Sequence, residues 1–185
     1  YNANVGWTTM EAAAEATEQI VANVKTAASV SVVDGATLAD WIVKTHEDGT
    51  TDAIILFGYL PEEIYEPGNS QEEDSLVEKF IEGGNIVMNA ADYIFYVSLG
   101  GGSNGDAGLK TITDSNFDCW GGVPFQPNRI GCAPTAGGKE YVPSLPAEYI
   151  SQRPMKKSQI DADDNWEVEV SFGSNGDDFH DLSLI

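Results

Sequence analysis

The sequence predicts an α/β fold: a three-layer sandwich in which helices cover both faces of a central, mainly parallel sheet. In the first half of the chain, apolar runs of strand length alternate with amphipathic helical segments. One run, 53–57, is continuously apolar, as expected of a parallel strand covered on both faces. The 185 residues can bury one substantial core, so we expect a single domain. Within it we expect βα units at 1–98, a loop-rich excursion at 99–160 and terminal strands at 161–185.

Three helices and three strands are predicted before residue 90. Thr8 and Glu11 have the spacing of a capping box, and apolar residues then recur every three or four positions. Gly83 and Gly84 have the composition of a helix C-cap. In chain order, the predicted elements are a helix ending near residue 28, a strand at 29–33, a helix at 37–46, a strand at 53–57, a helix at 70–82 and a strand at 85–89.

The second half of the chain is predicted to contain long irregular loops. Residues 114–159 are rich in glycine, proline and polar residues, and we interpret them as excursions over the strand ends. Residues 166–172 alternate between apolar and polar, which predicts a strand with one wet face, and 181–185 is predicted to pair with it. The pentapeptide Gly-Ser-Asn-Gly-Asp occurs at 102–106 and 173–177, which we interpret as two similar turns.

The chain is strongly acidic, with 30 acidic and 9 basic residues and a formal net charge of -21. Such a surface repels phosphate groups, so nucleic acid and anionic membranes are not expected as partners. No apolar run is long enough for membrane insertion. The acidity has three interpretations: a solubilising surface, adaptation to a saline medium, or binding of divalent cations.

Cys119 and Cys132 lie in a stretch rich in glycine and proline, with 12 residues between them. We expect a disulfide between them, which would stabilise this stretch by about 3 kcal/mol; two buried thiols are the alternative. A disulfide implies an oxidising compartment, so we expect an extracellular or periplasmic protein. The chain begins with neither a methionine nor a signal peptide, and we expect it to be part of a longer chain with other domains.

Three segments carry a resemblance to a known family: 52–58, 77–84 and 85–90. They resemble the core of the class I glutamine amidotransferase-like superfamily, including trehalose-utilisation (ThuA-like) domains. The resemblance covers about 1–98 and implies a flavodoxin-like arrangement. In such sheets, ligands bind beyond the carboxyl ends of the strands.

Catalytic members of that superfamily place a cysteine at the sharp turn after the second of these strands and pair it with a late histidine. This chain has Ala91 or Asp92 at that turn, and Phe179-His180-Asp181 matches the histidine motif only distantly. Neither alanine nor a lone aspartate can carry the acyl intermediate, so glutamine amidotransferase activity is not expected. We therefore predict a non-catalytic domain with a binding or assembly role, associated with carbohydrate.

The candidate site residues lie mainly at the predicted strand ends. The alternative function is a hydrolase that uses Asp92 or a nearby carboxylate, with His180 or Glu62 as a second proton-transfer group. The simpler role for Asp92 is to cap the segment that follows it. The ligand-binding candidates are Tyr59, Asn89, Asp92, Tyr93 and Trp120.

Asp161, Asp163 and Asn165 form a weak candidate calcium site, because they place oxygen ligands at alternate positions. The segment lacks both the glycine and the distant bidentate glutamate of a hand-type calcium loop. An acidic, solvated loop is the alternative. No other cofactor is predicted.

Overall fold

The computed structural model describes residues 8–25, 29–69, 73–90, 93–99, 102–116, 119 and 130–185. The chain divides into two compact units, Tyr1–Thr113 and Asp114–Ile185. Within the described ranges, no helix has the length and apolar character needed to cross a membrane.

The first unit is built from short strands and four α-helices in its described part. The helices are α1 (Met10–Asn23), α2 (Gly35–Thr45), α3 (Leu76–Glu82) and α4 (Gly105–Ile112), and Pro67–Asn69 forms a 3-10 helix. The strands are β1 (Ala53–Leu56), β2 (Ile86–Asn89), β3 (Val97–Ser98) and β4 (Gly102–Ser103).

Side-chain caps set the starts of the first two helices. The side chain of Thr9 accepts a hydrogen bond from the amide of Ala12, so the cap predicted at Thr8 is wrong by one residue. α2 begins after Asp34, which is the N-cap residue of this helix. Hydrogen bonds from the side chain and backbone of Thr37 lower the pKa of Asp34, so its charged form is favoured at the positive end of the helix.

α3 begins later than predicted, after Ser75 rather than near residue 70. The amide of Glu78 donates to the Ser75 hydroxyl, and the amide of Ser75 donates to the Glu78 carboxylate. This reciprocal capping box satisfies two amides that the helix leaves unbonded. Gly83 follows the helix as predicted; an added Cβ there would overlap the carbonyl oxygen of His46, so the close approach requires glycine.

β1 and β2 pair in parallel, with Ala53 opposite Ile86, which confirms the predicted side-by-side arrangement of these two strands. They form a sheet of only two strands within the described residues. One face is covered, because Ile54 and Leu56 are buried, whereas Ile86 and Met88 are 49% and 54% exposed. A continuous apolar run therefore did not mean burial on both faces here.

The predicted fold class is wrong. The structure is mixed α/β, its largest sheet is antiparallel, and the described residues contain no central, mainly parallel sheet. Residues 29–33, predicted as a strand, have no regular secondary structure. The glycine-rich segment after residue 100 is also not only a loop, since β4 and the start of α4 lie in it.

The second unit contains the five-stranded antiparallel sheet, in the order β6-β5-β8-β9-β7. The predicted pairing of the terminal strands is confirmed, because β8 and β9 form an antiparallel hairpin. The strands are β5 (Ile130–Pro134), β6 (Tyr149–Ser151), β7 (Met155–Lys156), β8 (Val168–Ser174) and β9 (Phe179–Leu184), and the helices are α5 (Ala136–Tyr141) and α6 (Lys157–Ile160).

The long irregular loops predicted for this half are therefore wrong for 130–160. The strands there are two to five residues long and do not alternate clearly, so their sequences lack the usual strand signal. α5 contains two glycines, which disfavour helix. It forms because the Thr135 side chain caps it and because Gly138 lets its backbone lie against the carbonyl of Phe172.

Candidate functional site

The candidate site lies on the concave face of the sheet in the second unit. β5 and β8 separate β6 from β9, so these strands would be about 14 Å apart in a flat sheet. However, the Tyr149 hydroxyl on β6 donates to Asp181 Oδ2 on β9 at 2.6 Å. The hydroxyl of Ser151, also on β6, donates to Asp181 Oδ1. The sheet must therefore curl strongly, and the curl brings these three polar side chains together.

Gly173 leaves the space that this contact needs. It lies opposite Asp181 in the β8–β9 ladder, and an added Cβ would overlap the phenol oxygen of Tyr149. A side chain at this position would therefore displace the tyrosine from the carboxylate.

The surroundings of the cluster keep its weak acids protonated. Burial raises the pKa of Tyr149, and the hydrogen bond to Asp181 and the charge of its carboxylate raise it further. Cys132 is paired with Tyr149 across the β5–β6 ladder, and burial and then the charge of Asp181 raise the pKa of its thiol. Because the thiolate is the reactive form, Cys132 is not an activated nucleophile.

The predicted disulfide is wrong. Cys119 and Cys132 are both buried, and they are not joined to each other. The prediction treated Cys132 as part of an irregular loop that needed a crosslink, whereas β5 holds it by strand pairing. The extracellular or periplasmic location stays a prediction, without the crosslink on which it was based.

An open cleft with a volume of about 670 Å³ lies beside the cluster. Its walls come from β5, β6 and the turn between β8 and β9. Glu148 is exposed, and it is the one acidic or basic residue among the residues that line the cleft. The lining includes Thr135, Glu148, Tyr149, Ile150, Ser174 and Asn175.

His180, a predicted proton-transfer residue, lies on β9. Its Nδ1 is 2.8 Å from Ser171 Oγ, and its Nε2 is 3.0 Å from the carbonyl oxygen of Asp177. A carbonyl oxygen can only accept, so in the neutral ring we assign the proton to Nε2. Nδ1 then accepts a hydrogen bond from the Ser171 hydroxyl.

The described part of the first unit contains four of the predicted site residues. Glu62 is exposed and Tyr59 is half-buried. Asn89 Oδ1 accepts a hydrogen bond at 3.1 Å from the amide of Gly58, just after β1, so it joins the ends of the two parallel strands. Tyr93 is buried, and its hydroxyl donates to Asp106 at 3.0 Å. Asn89 and Tyr93 therefore have structural contacts that explain their positions.

Two predicted site residues, Asp92 and Trp120, lie outside the described residues, so their roles stay predictions. His180 belongs to the second unit, whereas Glu62 belongs to the first. Ser171 and Asp181 were not among the predicted site residues. Asp181 appeared only as part of the distant histidine motif and as the first residue of the predicted strand 181–185, and no sequence pattern could have placed it against a side chain of β6.

The predicted calcium ligands make local contacts. Asp161 forms an ion pair with Lys157, with 2.6 Å between Nζ and Oδ2. Asp163 accepts a hydrogen bond at 2.9 Å from the amide of Asn165. In the first unit, Glu73 and Glu78 bring carboxylate oxygens within 4.8 Å of each other, an acidic pair that could hold a metal ion. Calcium binding at Asp161, Asp163 and Asn165 stays a prediction.

Comparison with known proteins gave no match to a protein-family model, a curated protein or a solved structure. The resemblance to the amidotransferase-like superfamily therefore stays a prediction. The sheet that this resemblance implied is not present in the described residues.

Proposed function

We propose that the second unit is a non-catalytic binding module whose cleft takes a neutral carbohydrate. The observation that carries this proposal is the open cleft of about 670 Å³, a volume typical of small-molecule sites. Tyr149 forms part of its wall, and its hydroxyl is bonded to Asp181. An aromatic side chain held in this way loses little conformational entropy when a ligand packs against it.

The charge and the lining of the cleft support a neutral, hydroxyl-rich ligand. A formal net charge of -21 repels anions. The carboxylate of Glu148 can accept hydrogen bonds from ligand hydroxyls, and the exposed amide of Asn175 can donate to their oxygens. Ile150 is 54% exposed and adds an apolar surface. This combination matches a sugar ring, which has polar edges and apolar faces.

The same groups argue for binding without cleavage. Glycoside hydrolysis commonly needs two carboxyl groups on either side of the bond that breaks, and Glu148 is the one carboxylate among the residues lining the cleft. Asp181 accepts hydrogen bonds from two hydroxyls, and the raised pKa values of Tyr149 and Cys132 keep both protonated. Neither Tyr149 nor Cys132 is therefore poised to donate a proton at neutral pH.

Affinity electrophoresis in gels that contain neutral glucan, xylan or mannan tests the proposal. We expect at least one polysaccharide to retard the protein. Glu148→Gln should weaken this retardation by about tenfold, because it removes a charged acceptor. Glu140→Gln is the matched control: Glu140 is exposed on α5, outside the cleft lining, and its substitution removes the same charge. Absence of retardation, or equal weakening by both substitutions, would reject the proposal.

A hydrolase is the second candidate, and the 2.8 Å distance between Ser171 Oγ and His180 Nδ1 favours it. A histidine that accepts the serine proton can activate the hydroxyl for attack on an ester. This version uses Ser171 in place of the carboxylate predicted at Asp92.

Labelling with a fluorophosphonate probe tests the second candidate. If Ser171 is the nucleophile, the probe should react with the wild type and with Ser174→Ala but not with Ser171→Ala. Absence of label on the wild type, or label that survives Ser171→Ala, would leave the binding module as the remaining candidate.

A further inference from the structure

The pentapeptide Gly-Ser-Asn-Gly-Asp, at 102–106 and 173–177, places an asparagine directly before a glycine in both copies. In an Asn-Gly pair, the glycine amide nitrogen can attack the side-chain amide carbon of the asparagine. The attack meets little steric resistance, because glycine has no Cβ and adopts unusual backbone angles at little cost. Both copies therefore have the same intrinsic tendency to deamidate.

The two copies also share their local turn. The Ser103 hydroxyl accepts a hydrogen bond from the Gly105 amide at 3.2 Å, and the Ser174 hydroxyl accepts one from the Gly176 amide at 2.9 Å. Both glycines have positive φ, 56° and 83° respectively. The serine-centred hydrogen bond and the positive φ of the glycine therefore do not distinguish the two asparagines, and we compare their surroundings instead.

Asn104 is buried, with only 4% of its surface exposed. Its side-chain nitrogen donates to the carbonyl oxygen of Phe95 at 3.1 Å and to the hydroxyl of Ser98 at 3.0 Å. In a deamidation this nitrogen is the leaving group, so both buried hydrogen bonds must break before it can depart. The reaction at Asn104 therefore requires a local opening of the fold.

Asn175 is exposed, and its hydrogen bonds involve the other end of the amide. Its Oδ1 accepts from the amide of Asp177 at 2.9 Å and from the amide of Phe179 at 3.2 Å. Negative charge develops on this oxygen when the adjacent carbon is attacked. Two backbone amides directed at that oxygen stabilise the charge, as donors in an oxyanion hole do.

We propose that Asn175 is a site of spontaneous deamidation and that the fold protects Asn104. The Gly176 nitrogen forms a bond to Asn175 Cγ, and the bond from Cγ to Nδ2 breaks. The side-chain nitrogen leaves as ammonia and takes the proton that the Gly176 amide loses. Solvent water then opens the cyclic succinimide at either carbonyl, leaving aspartate or isoaspartate at position 175. The net reaction consumes one water and releases one ammonia.

The modification changes the cleft, because Asn175 is one of its lining residues. It replaces a neutral amide with a carboxylate in a lining that already contains Glu148. The product has no side-chain amide nitrogen, so it loses the donor assigned above to ligand oxygens. The deamidation itself does not depend on the proposed function, and its rate is measured without ligand.

Peptide mapping by mass spectrometry tests the inference on the whole chain. The native protein and the protein unfolded in denaturant are incubated in parallel at mildly alkaline pH, and deamidation is followed at both asparagines. In the native protein we expect position 175 to react at least about tenfold faster than position 104. In the unfolded chain the two rates should converge, because two residues on each side of the asparagine are identical.

The unfolded chain gives the reference rates of deamidation at both asparagines. Asn175→Gln is the matched variant: it should abolish fast deamidation at 175 and leave the rate at 104 unchanged, since the longer side chain does not form the succinimide ring. Equal native rates would overturn the inference. So would an Asn175 that stays intact in the native protein while the unfolded chain reacts.

Discussion

Tyr149 owes its fixed position to two residues distant in sequence. Gly173 provides the space that its ring occupies, and Asp181 accepts a hydrogen bond from its hydroxyl. Tyrosine occurs at many surface and core positions, so its presence in a sequence carries little information. The contact becomes visible only when β6 and β9 are seen on one concave face.

Replacing Tyr149 tests this contact. Tyr149→Phe keeps the ring and removes the hydroxyl, so the Asp181 carboxylate loses the hydrogen bond that it accepts from Tyr149. We expect the free energy of unfolding to fall by about 1–3 kcal/mol, measured by urea denaturation. Tyr141→Phe is the control, because Tyr141 is 64% exposed and we expect a change within about 0.5 kcal/mol. If both variants lost the same free energy of unfolding, the hydrogen bond from Tyr149 to Asp181 would not be stabilising.

Asp178 contributes a pH-dependent component to stability. Its pKa is lowered by a hydrogen bond from the Ser158 side chain first, and also by the backbone amide of Ser158 and the charge of Lys156. Because the pKa is lower in the folded state, the unfolded chain binds more protons between the two values. This contribution is present above the usual aspartate pKa of about 3.9 and is lost as pH falls through the folded value.

Asp178→Asn should therefore reduce the slope of unfolding free energy against pH in the acid range. Asp164→Asn removes an exposed carboxylate from the same unit and is the control for net charge. Denaturation series across this pH range measure both variants. If the two variants gave the same slope, Asp178 would have no specific role.

The two Gly-Ser-Asn-Gly-Asp copies show what a short sequence can specify. Each forms the same serine-centred turn with a glycine at positive φ, which supports the interpretation as two similar turns. The copy at 102–106 then enters α4, whereas the copy at 173–177 joins β8 to β9. The pentapeptide sets its own backbone, and the residues that follow decide which element forms.

The glycine pair in α5 allows a matched test of helix packing. A Cβ at position 138 would overlap the carbonyl of Phe172, whereas a Cβ at 137 would meet its nearest atom at 3.4 Å. We expect Gly138→Ala to destabilise the protein by about 1–3 kcal/mol or more. Gly137→Ala should be near neutral, or stabilising by up to about 1 kcal/mol, through its better helix propensity. Thermal unfolding of both variants checks this, and the reverse order would contradict the packing of α5 on β8.

The acidity of the whole chain predicts a response to salt. Repulsion within a protein of net charge -21 opposes folding, and added salt screens it. We expect the melting temperature to rise with sodium chloride. At matched ionic strength, calcium should raise the melting temperature no more than magnesium does, because Asp161 already forms an ion pair with Lys157. A calcium-specific rise that Asp163→Asn removes would instead support the predicted calcium site.

Much of the local structure could be predicted. The parallel pairing of β1 with β2, the hairpin of β8 and β9 and the positions of α1, α2 and α3 follow from periodicity and composition. Cap positions were less accurate, because neighbouring residues such as Thr8 and Thr9 have the same capping chemistry. The short strands of the second unit were missed, because two to five residues carry too little periodicity.

The candidate site could not be found in this way. Glu62, Asn89, Tyr93 and His180 were selected from sequence, and the cleft is instead lined by residues of β5, β6 and the β8–β9 turn. The sequence contained no sign that Asp181 would meet Tyr149, because that contact joins strands that are not neighbours in the sheet.

Local sequence was enough to specify turns, several helices and the strand pairs with clear periodicity, since backbone preferences and alternation act over a few residues. The tertiary structure decided the fold class and the site. Strand order and sheet curl depend on packing between distant segments, and that packing makes a small antiparallel sheet, rather than a central parallel one, the frame of the cleft.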